Sequence, residues 1–149
     1  EAKAITIISA MELGKRRDSL LPSPKIKFTC SADIYKYMKM HLVDIQHEEF
    51  WVLLLDRKNH LIHKERISAG GISGTVVDCR MIFKMAIDHL ATGVLLIHNH
   101  PSGDSKPSDA DISITHSLNY SGKMLDVHIL DHLIISEKGY YSFADEGVI

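Results

Sequence analysis

The residues best placed to do chemistry lie between Ile97 and Asp111, in the stretch Ile97-His98-Asn99-His100-Pro101-Ser102-Gly103-Asp104-Ser105-Lys106-Pro107-Ser108-Asp109-Ala110-Asp111. It leaves an apolar run, Gly93-Val94-Leu95-Leu96-Ile97, that reads as a short buried strand. Residues two apart in a strand point to the same side, so His98 and His100 send their imidazoles to one place. Pro101 cannot donate to a sheet ladder, and with Gly103 and Pro107 it turns the following residues into a loop. Ser108 has the place of a helix N-cap, with Asp111 in the first turn behind it. A strand-to-helix turn of this kind can bring the Asp111 carboxylate back towards the imidazoles. Two histidines and one aspartate suit a catalytic zinc ion, which keeps a fourth position open for water. The parts also have an ordinary reading: polar side chains at a sheet rim, and an S-x-x-D capping box. Glu or Gln is the usual partner in that box, and the ordinary reading does not explain why all the parts occur in one short span.

A hydrolytic metal site also needs a group that takes a proton from water and returns it to the leaving group. Two adjacent acids, Glu48 and Glu49, stand before the apolar run Phe50 to Leu55. Strand alternation groups Glu48 with Phe50 and Glu49 with Trp51 but does not choose between them; solvated acids at a strand start are the alternative. Asp131-His132 reads as a satisfied histidine within a sheet. His41, His47, His60, His63, His89, His116 and His128 have no convincing partner spacing for a metal site.

The elements that must position these residues follow from periodicity. Ala4, Ile5, Ile8, Met11 and Leu13 predict an amphipathic helix over 3–17 ending in Lys15-Arg16-Arg17, and Leu20-Leu21-Pro22-Ser23-Pro24 reads as a linker after it. Ser31-Ala32-Asp33 starts a helix with Ile34, Tyr37, Met38 and Leu42 on one face. Strands are predicted at Phe50 to Leu55 and Leu61 to Ile67, joined by a turn at Asp56-Arg57-Lys58-Asn59. Gly70-Gly71 and Gly74 punctuate the path to a helix capped by Asp78 and running to about Leu90. After the His98 strand comes a helix from Ser108 to about Asn119, then strands at Val127 to Ile135 and Tyr140 to Ser142. Strands and helices mixed in this way predict an α/β sandwich around one sheet.

A chain of 149 residues that is 45% hydrophobic can bury a proper core. The net charge of −2 gives no basic footprint for nucleic acid, and Lys15-Arg16-Arg17 and Lys25/Lys27 read as solvated surface. Cys30 and Cys79 are far apart and form no C-x-x-C pair, which fits a reducing compartment. No apolar run reaches transmembrane length and no signal peptide is recognisable. The chain begins at Glu1 rather than Met, as expected of a piece trimmed from something longer.

The arrangement His98-x-His100, seven residues, Ser108, two residues, Asp111 resembles the JAMM signature of MPN+ metalloproteases in residue types and spacing. The fuller string HNHPSGDSKPSDADI resembles the bacterial RadC family. The likeness extends to Glu48-Glu49-Phe50-Trp51-Val52-Leu53-Leu54-Leu55-Asp56, Ser73-Gly74-Thr75, Arg80, Leu130-Asp131-His132-Leu133-Ile134-Ile135 and Ser142-Phe143, and covers residues 28 to 149. Asp78, Cys79 and Met81 depart from it, standing where that family tends to have His, Pro and Glu. The resemblance implies an MPN/JAB-like (cytidine-deaminase-like) sandwich, with a central mixed sheet flanked by helices, over 28–149. Residues 1–27 would then be a helix and linker left from an upstream helical region. It further implies Zn2+ held by His98, His100 and Asp111, Glu48 as the proton-transferring acid, and Ser108 as a donor to the developing oxyanion beside its capping job. For Asp131-His132 it implies a contact beside the site or with a substrate, as the alternative to a satisfied sheet histidine. A peptide or isopeptide bond in a protein substrate, in the bacterial cytoplasm, is the expected target. The alternative is a DNA-repair-associated accessory or protein-interaction module; a slightly acidic chain without interleaved aromatic and basic residues supports DNA binding poorly.

Overall fold

The Phe50–Leu55 run and the Gly93–Ile97 run are apolar at every position, the mark of strands covered on both faces. In the computed structural model, which describes residues 2–19, 25–42, 44–70 and 77–149, they form the middle of a five-stranded sheet. Its strands are β1 (Glu49–Leu55), β2 (Leu61–Ala69), β3 (Gly93–Asn99), β4 (His128–Ser136) and β5 (Gly139–Ser142), in the order β2-β1-β3-β4-β5. β3 and β4 pair in parallel and the other neighbours are antiparallel, so the sheet is mixed. The helices are α1 (Ala2–Ser19), α2 (Ser31–Leu42), α3 (Cys79–Asp88) and α4 (Asp109–Met124). This is the α/β architecture expected, with helices on both sides of one mixed sheet.

Alternation along the central strands divides the core in two. Phe50, Val52, Leu54, Val94 and Leu96 pack with Ile82, Phe83 and Ala86 of α3 and Leu118 of α4. Leu53, Leu55, Leu95 and Ile97 face the other way, against Ile34, Met38 and Leu42 of α2. His98 continues the first set, so its side chain lies on the α4 side. β4 reaches that side by an irregularity. Val94 pairs with Ile129 but Leu95 pairs with Asp131, leaving Leu130 as an extra residue. The bulge shifts the alternation by one, so that Ile129 and then His132, rather than Asp131, face the α4 side.

The α3 start has a local cause. Asp78 caps the helix by accepting from Arg80 N and ion-pairs with the Arg80 guanidinium, Oδ2 to Nη2 at 2.8 Å. This gives the departure from the family pattern around Arg80 a role of its own. α1 is helical as its spacing predicts, yet Ile5, Ile8, Met11 and Leu13 are each more than 60% exposed and lie outside the core. The predicted linker at 20–24 and the Gly71, Gly74 and Ser73-Gly74-Thr75 features lie outside the described residues. No helix among the described residues is long and apolar enough to cross a membrane. Both cysteines are free.

Candidate metal centre

His98 is the penultimate residue of β3 and is buried, while His100 follows the strand and is half-buried. Gly103, at φ 81°, takes the left-handed turn that lets the loop fold back, and its N–H donates to His100 O. Ser108 then caps α4 by accepting from Asp111 N, and the Asp111 carboxylate accepts in return from Ser108 N. The capping box is therefore formed, with Asp in the place usually held by Glu. It holds the carboxylate against the two rings. His98 Nε2 lies 3.2 Å from Asp111 Oδ1, His100 Nε2 lies 3.6 Å from Oδ2, and the two Nε2 atoms are 3.0 Å apart. One potential ligand atom from each of the three residues falls within 4.8 Å of the others.

The proton positions around this cluster decide what it can hold. His100 Nδ1 lies 2.8 Å from Asp104 O, a carbonyl that can only accept, so Nδ1 carries a hydrogen in either protonation state; the neutral ring presents a lone pair at Nε2, and the protonated ring turns an Nε2–H towards Asp111. Lone pairs and carboxylate oxygens pointed at one another repel unless a cation sits between them. A proton can do this, and so can a divalent metal ion, for which two imidazoles and a carboxylate form a three-ligand set with an open position. The pKa directions fit such a site. The hydrogen bond with Asp111 raises His100 above its ordinary value despite burial, helped by Asp104 O and the charges of Asp111 and Glu48. Burial pushes the Asp111 carboxyl up, but His100, His98 and Ser108 outweigh it and hold the group far below the usual carboxylate range.

The two acids at the start of β1 go to different places. Glu49 is 2% exposed and fully engaged: it accepts from Trp51 Nε1 at 2.8 Å and Arg66 Nη1 at 2.7 Å, with His47 Nε2 at 3.2 Å. Glu48 precedes β1 on the side of Phe50, the residue that pairs with His98 across the sheet. Its charge reaches His100, and its side chain makes no hydrogen bond among the described residues. Asn99, between the two histidines, faces the other way; its Oδ1 accepts from Glu49 N and its Nδ2 donates to His47 O, which moors this segment to β3.

Two further contacts were only half legible or not legible in the sequence. His132, read there as either a site contact or a sheet histidine, lies with Nε2 2.9 Å from His98 Nδ1. Thr115, with Oγ1 2.6 Å from His132 Nδ1, was missed; its one signal is its position a helical turn beyond Asp111.

Fold and site together define an α/β domain that carries a metal-compatible His-His-Asp cluster between a strand end and a capped helix. A family profile described as "RadC-like JAB domain" matches residues 28–148. The chain is 49% identical over 99% of its length to a UPF0758 protein of Flavobacterium johnsoniae. It is 42% identical over 99% of its length to one of Porphyromonas gingivalis, and 38% identical over its whole length to one of Methanosarcina mazei. The matched regions span 65%, 66% and 65% of those three proteins, so the chain corresponds to under two thirds of each. The chain belongs to the RadC family, whose domain here is of the JAB/MPN type.

Proposed function

We propose that this domain is a zinc-dependent hydrolase of the JAMM type that cleaves peptide or isopeptide bonds in a protein substrate. The observation that carries the reading is the convergence of His98 Nε2, His100 Nε2 and the Asp111 carboxylate at distances that call for a cation. A zinc ion held there would act as a Lewis acid and bring the pKa of a water down to about 7. Glu48 takes the water proton and later passes it to the leaving amine, a task open to a carboxylate beside the site with no other partner among the described residues. Asp111 and His98 are kept in place by the capping box and the sheet. Ser108 holds the carboxylate in that box, donating from Oγ to Asp111 Oδ2 at 2.6 Å. In the same proposal its hydroxyl, once the carboxylate is engaged by a cation, donates to the developing oxyanion.

Metal analysis of the purified 149-residue chain tests the reading. About one zinc per chain is expected, falling to none in His100→Ala, because two remaining ligands do not make a zinc site. A metal content equal in the wild type and His100→Ala overturns it.

A further inference from the structure

His98 is the one ligand candidate buried on every side, and what fixes its proton is a chain of hydrogen bonds that the hydrolytic scheme does not use. Thr115 Oγ1 lies 2.5 Å from Asp111 O. Two oxygens that close need a proton between them, and the carbonyl has none to give, so the Thr115 hydroxyl donates to Asp111 O. That spends its one proton. His132 Nδ1, 2.6 Å from the same Oγ1, must then be the donor and carry a hydrogen. His132 is fully buried with no carboxylate against its ring, so it is neutral and its Nε2 has a lone pair. That lone pair faces His98 Nδ1 at 2.9 Å and accepts from it.

We infer that Thr115 and His132 are positioning residues that lock His98 in its Nδ1–H tautomer, so that its Nε2 lone pair is presented to the cation site. Starting from the Asp111 carbonyl, the route runs through Thr115, His132 and His98 and ends 3.2 Å from the Asp111 carboxylate. It is a ring that ties α4 to β3 through β4. The ring planes are held as well: His98 stacks on Phe50 at 5.9 Å between centroids and His132 on Phe143 at 4.8 Å. Leu130 explains how β4 takes part, since the bulge there turns His132 towards α4. His100 has the same tautomer for a different reason, a backbone carbonyl, so the two ligand candidates are oriented independently.

The inference deepens the zinc reading and its value for metal binding rests on it, so the test separates the two. Nitrogen-15 NMR of the chain without added metal reads the His98 and His132 tautomers directly; Nδ1–H is expected for both. In Thr115→Val and His132→Phe the His98 signal is expected to move towards the other tautomer or a mixture, while the His100 signal stays. Competition with a chromophoric chelator, using zinc alone as probe, is expected to show a Kd raised about ten- to a hundredfold in each variant, with His132→Gln, which keeps an acceptor, recovering part of it. Thr115→Val keeps the experiment decisive if His132→Phe fails to fold. A wild-type His98 in the Nε2–H form overturns the inference, as does an unchanged zinc Kd in a folded Thr115→Val. A wild type that shows the Nδ1–H form but binds no zinc leaves the hydrogen-bond assignment standing and sinks the hydrolase reading instead.

Discussion

Glu48 and Glu49 are neighbours in sequence and opposites in consequence. Glu49 is buried with three donors around it, and Arg66 opposite is half exposed. Burial alone would raise its pKa, but Trp51, Arg66 and His47 bring it below the ordinary value, so the group is ionised at neutral pH. Glu49→Ala removes the acceptor of Trp51 Nε1 and the partner of Arg66. A loss of about 1–3 kcal/mol in urea unfolding is expected, with zinc content unchanged. Glu48→Gln has little to break: stability within about 0.5 kcal/mol of the wild type, bound zinc retained, and peptide or isopeptide hydrolysis reduced about 10²- to 10⁴-fold. If Glu48→Gln kept its turnover and Glu49→Gln lost it in a folded, zinc-loaded protein, the proton-transfer role would belong to Glu49.

At the level of the element, α4 does two jobs from its first turn. Its capping box satisfies the orphan N–H groups of the helix start and clamps the Asp111 carboxylate. Ser108→Ala is expected to cost about 1 kcal/mol of stability for the cap. It should also weaken zinc binding, because Asp111 Oδ2 loses the Oγ donor and is freer to turn away. If calorimetry showed the stability loss with an unaltered zinc Kd, capping would be the whole of the Ser108 contribution. This strand-turn-helix unit was legible because every part is local: the apolar run, the proline and glycine punctuation, the S-x-x-D spacing. The α2 start at Ser31, the Asp78 cap and the strand positions were legible for the same reason. What was not legible depends on partners distant in sequence. Period-two reading from Ile129 sends His132 to the wrong face, because the Leu130 bulge appears only when β4 is laid against β3. Thr115 shows a hydroxyl at a helical position and nothing of the imidazole it meets. The spacing in α1 predicted the helix but not that its apolar residues would be exposed, since burial depends on what packs against a helix rather than on its own period.

For the whole molecule, the proposed cation site would couple metal binding to stability across three elements, since β3, β4 and α4 meet there and nowhere else through polar contacts of this kind among the described residues. A ligand that binds only the folded form stabilises it by RT ln(1 + [L]/Kd), about 2.7 kcal/mol at a hundred times Kd. For a chain of this length that is a rise in Tm of about 5–10 °C. Its pH dependence has a definite sign. The folded pKa of His100 is raised above its ordinary 6.5, chiefly by the hydrogen bond with Asp111. Protonated His100 therefore adds stability that is fully present below 6.5 and is lost as pH rises through the folded pKa. Zinc runs the other way, because it must displace that proton, and its affinity climbs with pH over the same window. Without zinc the Tm contribution of this site should decline as pH rises from 6.5, and with saturating zinc the increment should grow. Thermal unfolding with and without zinc at several pH values between 6 and 8.5 measures both slopes, with His100→Ala as the reference in which neither is expected. A zinc increment that stayed constant across that range, or persisted in His100→Ala, would place the stabilising metal elsewhere in the molecule.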